Sequence, residues 1–104
     1  MAENVIQFRL DARSAEGQIR ALAMNTANVK VTFHAAEQME NRGFSDNDLF
    51  NVLRTGFVEG TPMLSDKNEW KIKVVKRLRG RRDAGVVTVI SKGGKLIVLT
   101  MEWE

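Results

Sequence analysis

Near Pro62 the chain changes its hydrophobic period, and no other feature constrains the fold as much. Before it, apolar residues recur at helical spacing between stop and start signals; after it they alternate, as strands do. Ile19, Leu22 and Ala23 form one stripe of a helix running from about Ser14 to Asn25. Val29 to Phe33 is a short β-like run leading into a helix that opens at His34 and stops at Gly43, the usual place for a left-handed cap. Ser45 offers an N-cap to the next helix, with Asp46 and Asp48 in its first turn, an apolar face of Leu49, Val52 and Leu53, and a stop at Gly56. Past Pro62, Trp70, Ile72 and Val74 alternate with Lys71, Lys73 and Val75. A basic loop from Arg79 to Asp83 leads to Val86–Ile90, and Lys92-Gly93-Gly94 is a hairpin signal before Leu96–Met101. The expected class is α+β, with N-terminal helices packed on one face of a twisted antiparallel sheet of three to four strands. Val29–Phe33 is the candidate fourth strand, at an edge.

Composition bounds the rest. A 104-residue chain that is 43% hydrophobic can close one modest core and is not of disordered composition. No apolar run nears the roughly 20 residues of a membrane span, so no membrane partner is expected. The start of the chain lacks the apolar stretch of a secretory signal, and there is no cysteine, so the expected location is cytoplasmic. One histidine without a second at ligand spacing gives no metal set, and no glycine-rich phosphate loop is present; no cofactor is expected.

The net charge of +3 conceals an asymmetry. Seven of the sixteen Lys and Arg residues fall between Lys71 and Arg82, with no acid among them. Such a block suits a polyanion or an acidic partner, and equally a solvated hairpin. Lys71 and Lys73 share the strand face opposite Trp70 and Ile72, where they track a phosphate backbone or guard a strand edge. Arg79, Arg81 and Arg82 form a loop cluster suited to phosphate. Trp70 reads as core; Trp103 can stack a base or pack.

The chain's one histidine lies in Phe33-His34-Ala35-Ala36-Glu37-Gln38-Met39-Glu40-Asn41-Arg42-Gly43. His34, Gln38 and Arg42 recur at i, i+4 and i+8, within an arc of roughly 80° on one helix face. An imidazole near neutrality can exchange a proton with a ribose hydroxyl, or simply cap the strand-to-helix junction. A guanidinium can grip a phosphate, or pair with an acid such as Asp46. Glu37 and Glu40 flank the same helix, as orienting groups or as solvated charge. Thr100 brings a hydroxyl to the last strand.

With the string Val31-Thr32-Phe33-His34-Ala35, then Met39, Arg42-Gly43, the aromatic-led strand from Trp70 and the closing Ile97-Val98-Leu99-Thr100, the chain resembles a small bacterial domain of unknown function. That domain's signature is His-Ala-x-x-Arg-Met-x-x-Arg-Gly, and it is similar to RelE- and BrnT-like toxins of the barnase/EndoU/colicin/RelE fold group. The resemblance covers about residues 29–104, with residues 1–28 as a helical extension. It implies a metal-independent endoribonuclease in which His34 exchanges the proton of an in-line attack, and Arg42 and Lys73 stabilise the phosphorane. Lys71, Arg79, Arg81 and Arg82 would hold the RNA, and an acidic antitoxin-like protein would cover the basic sheet. Gln38 departs from the pattern where the signature has its first arginine: it can hydrogen-bond a phosphate but cannot neutralise it. The departure favours the alternative, a non-enzymatic module docking an acidic protein or nucleic acid through the basic hairpin 71–82. A homodimer through the sheet edge is the third expectation.

Overall fold

The computed structural model describes residues 9–104; the part of the expected extension that falls on residues 1–8 lies outside them. In chain order the elements are α1 (Ala12–Ala23), β1 (Val29–Val31), α2 (Phe33–Arg42), α3 (Asp46–Thr55), β2 (Phe57–Leu64), β3 (Trp70–Arg77), β4 (Asp83–Ile90) and β5 (Leu96–Trp103). The five strands form one sheet in the order β1-β5-β4-β3-β2. The fold is α+β, as the pattern predicts, with a sheet one strand wider than expected and mixed in direction. β2 through β5 run antiparallel in succession, whereas β1 joins β5 in parallel. β2 is the strand that the sequence pattern conceals. Gly60 and Pro62 interrupt its alternation where its register with β3 shifts, and proline is tolerated there because β2 is an edge.

Each helix is set by its local chemistry. Asp11 caps α1 by accepting from the Ser14 N–H. Thr32 caps α2, which ends in a Schellman turn: Gly43 is left-handed (φ 76°), its N–H reaches the Glu40 carbonyl, and the Phe44 N–H reaches the Met39 carbonyl at 2.8 Å. Ser45 and Asp48 exchange side-chain and backbone bonds in a capping box that starts α3.

The core lies between the sheet and the helices. Ala15, Ile19 and Ala23 of α1, Leu49, Val52 and Leu53 of α3, and Ile72, Val74, Val86, Leu96, Val98 and Met101 of the strands are all buried in one cluster. Trp70 packs half-buried against it. α1 therefore shares the core of the residues that follow it. It is also clasped to α3 where the two C-terminal ends meet: Arg20 donates to the Gly56 carbonyl at 2.8 Å, and Arg54 donates to the Ala23 carbonyl at 2.8 Å. Each guanidinium thus satisfies carbonyls at the other helix's C-terminal end, where a cation is favoured. Glu16 adds a bond from the Val58 N–H at 2.9 Å, tying α1 to β2. Among the described residues no helix is long and apolar enough to cross a membrane.

Candidate functional site

β1 pairs with β5 only from Leu96 to Val98, which leaves the edge of β5 from Leu99 to Trp103 open. α2 fills that gap. Its ten residues span about 15 Å at ~1.5 Å each, close to the reach of the five uncovered strand residues at ~3.3 Å each. Gln38, only 8% exposed, faces the edge. Its Oε1 accepts from the Met101 N–H at 3.1 Å and its Nε2 donates to Glu102 Oε1 at 3.0 Å. Arg42 reaches the same Glu102 oxygen at 3.5 Å, and so pairs with β5 instead of Asp46. Two members of the helix-face trio therefore converge on one carboxylate of the last strand. His34 sits one turn earlier, exposed, and its imidazole has no hydrogen-bond partner among the described residues. Glu37 and Glu40 are also exposed, and neither engages His34 or Arg42.

The open face of the sheet carries the second group. β5 has one extra residue, Leu99, between the Thr88–Val98 and Val87–Thr100 pairs. This bulge turns Thr100 and Glu102 away from the core, onto the face opposite the helices. In register, Thr100, Val87, Lys73 and Glu59 then form one row across β5, β4, β3 and β2. Thr100 and Lys73 are two strand spacings apart, about 10 Å between backbones. The Lys73 ammonium is 2.5 Å from Glu104 and 3.0 Å from Glu59. Gly85 makes room for the Glu104 carboxylate, which occupies the space a Cβ would need. Those two carboxylates, Glu104 foremost, raise the Lys73 pKa above its ordinary value. Lys73 is thus a charge-compensated ammonium at neutral pH. Lys71, exposed beside it, lines a cavity of about 590 Å³ with Met63, Leu64 and Asp66.

The remaining arginines meet at the far end of the sheet. Gly80 (φ 69°) and Arg81 (φ 63°) are both left-handed and make the tight turn between β3 and β4. Arg79 reaches back to Asp48 at 2.8 Å and to the Gly43 carbonyl at 3.2 Å, fixing the turn against the α2–α3 corner. Arg82 lies over the Trp103 ring at 4.7 Å. Trp103 packs on Phe44 with ring centroids 4.3 Å apart and donates its indole N–H to the Arg42 carbonyl at 3.1 Å. Arg82 thus caps the Trp103 ring and the Arg42 carbonyl holds its indole N–H, while Arg81 stands exposed in the turn beside Arg82.

The structure brings Gln38 and Arg42 together on Glu102. It gives His34, Arg42 and Lys73 separate surroundings: solvent, Glu102, and the Glu59–Glu104 pair respectively. The acids Glu59, Glu102 and Glu104, and the scaffold role of Trp103, are what reading the sequence missed. The signal was faint: Thr100, Glu102 and Glu104 alternate, but only the bulge at Leu99 decides which way they face.

A model of the family described as domain of unknown function DUF4258 matches residues 31–102. No curated protein matches the chain, and no solved structure does.

Proposed function

Since this chain belongs to the DUF4258 family, a domain of unknown function, we propose that it is an RNA-binding domain related to the RelE- and BrnT-like toxins, which grips the phosphate backbone at the arginine corner and does not cut it. The observation that carries this reading is Arg81. It occupies a left-handed turn position that glycine or asparagine fills at no cost, and where a larger L-residue is strained by about 1–2 kcal/mol. Its side chain is exposed, and neither it nor Arg82 has an acidic partner among the described residues. Strain at a turn tip, with a charged group left free, is how functional positions are commonly built. Arg82 over Trp103 adds a cation on an aromatic platform beside it, an arrangement that suits an unstacked strand.

Cleavage is disfavoured by the surroundings of the three residues it would use. His34 has no orienting partner, and Lys73 is already neutralised by two carboxylates. The Gln38 amide is spent on the β5 edge. A general base needs its proton within hydrogen-bond reach and charge stabilisation at the same phosphate.

The test is anisotropy of a labelled single-stranded RNA across a salt series. Wild type binds with salt-sensitive affinity. Reversing both charges, Arg81→Glu with Arg82→Glu, removes about 1.4 from the log–log salt slope, at roughly 0.7 per phosphate contact. An unchanged slope defeats the proposal. RNA cleavage in EDTA that His34→Ala abolishes replaces it with the endoribonuclease reading.

A further inference from the structure

The edge opposite β2 offers a different surface. β1 is the outer strand there, and the Thr32 N–H, just past its end, donates to the Val98 carbonyl at 3.1 Å. Backbone groups alternate in direction along a strand, so Lys30 also faces β5, while the N–H and C=O of Val29 and Val31 point outwards. The Val31 side chain is 39% exposed and lines a groove of about 350 Å³ with Ala36, Met39, Glu40, Phe44 and Asp46. Met39 and Phe44 are its nearly buried floor. Phe33, 80% exposed, stands at the start of α2, one turn before Ala36.

The charge at this groove opposes that of the molecule. The chain is net positive, yet the charged residues lining the groove are Glu40 and Asp46, and neither side chain has a cationic partner among the described residues. Lys30 does not offset them, because in register with Ile97 it lies on the other face of the sheet. β2, at the far edge, is interrupted by Pro62 and a shift of register; β1 has neither, and is blunted only by its three-residue length and Lys30.

We infer that β1 and the adjoining groove are a docking site for an extended basic segment of a partner protein. The segment adds a sixth strand through Val29 and Val31. It seats one bulky apolar side chain over Met39 and Phe44, and sets lysine or arginine against Glu40 and Asp46. Main-chain pairing supplies the affinity and the groove supplies the selectivity, as in other strand additions. The site adjoins the arginine corner through Phe44, which packs on Trp103, but it uses none of the corner's arginines and stands or falls independently of RNA binding.

The experiment is an amide NMR titration of the 15N-labelled chain with a blocked peptide, Lys-Thr-Leu-Val-Arg. Controls are Glu-Thr-Leu-Val-Glu and a basic peptide N-methylated on the pairing side of its backbone. The basic peptide shifts amides of residues 29–31 and 36–46, more weakly as salt rises, and both controls leave them unmoved. Glu40→Lys with Asp46→Lys weakens binding by about tenfold or more. The milder Glu40→Gln with Asp46→Asn weakens it in the same direction should the reversal perturb α3. Equal binding by the acidic peptide, shifts centred on the open face, or no shift at millimolar peptide overturns the inference. A sedimentation dimer that buries β1 in a second copy of the chain overturns it as well.

Discussion

Gln38 shows how much one amide can hold when it stands at a strand edge. Its oxygen is the acceptor for the Met101 N–H, and its nitrogen reaches Glu102. An arginine at this position could meet Glu102 but has no acceptor for a backbone N–H. Gln38→Arg is therefore expected to destabilise the fold by about 1–3 kcal/mol, the cost of leaving a buried donor unpaired, as measured by the urea midpoint at constant slope. Arg81 predicts opposite signs for two readouts. Arg81→Gly relieves the left-handed strain and raises stability by about 1 kcal/mol, while it weakens RNA binding. A variant that gains stability and keeps its full affinity argues against Arg81 as a contact. Lys73 gives a pH dependence. Its folded pKa lies above the ordinary 10.5, so its contribution is complete below that pH and is lost as pH rises through the folded value. Thermal midpoints should thus fall more steeply above about pH 10.5 in wild type than in Lys73→Met.

At the scale of elements, the clasp between α1 and α3 makes the first helix a partner in the core. Ile19 is 1% exposed, and Ile19→Ala is expected to cost about 2–5 kcal/mol. A chain beginning at Val29 loses Ala15, Ile19 and Ala23 from the core together with both arginine bridges. It should show no cooperative thermal transition in circular dichroism; a sharp one would mean that the strands and the last two helices suffice. The helices were legible in the sequence because their signals are local: Ser45 bonds within three residues and Gly43 closes its own turn, whereas the equally local caps at Asp11 and Thr32 were missed and Phe33 was read as strand. β2 was not, since Gly60 and Pro62 mimic a loop and only pairing with β3 makes a strand of them. The same holds for the site. Spacing showed that Gln38 and Arg42 share a helix face, but their partner Glu102 is sixty or more residues away. Nothing near Lys73 in sequence announces Glu104, and Arg79 lies 31 residues from its partner Asp48.

At the scale of the whole molecule, the charges divide the surface. Arginines cluster at the turn between β3 and β4, with Arg82 on Trp103, carboxylates interleave with Lys73 on the open face, and acids line the groove beside β1. One chain thereby presents a polyanion-seeking corner and a cation-seeking edge without either neutralising the other. The parallel pairing of β1 with β5 has a further consequence, in time. Thr32 and the Leu99 carbonyl it approaches are 67 residues apart. At about 5–20 residues per second, a ribosome needs roughly 3–13 s to make that interval. Throughout it, Val29 to Val31 has been made and the strand that will cover it has not, so the pairing of β1 cannot begin until β5 has been synthesised.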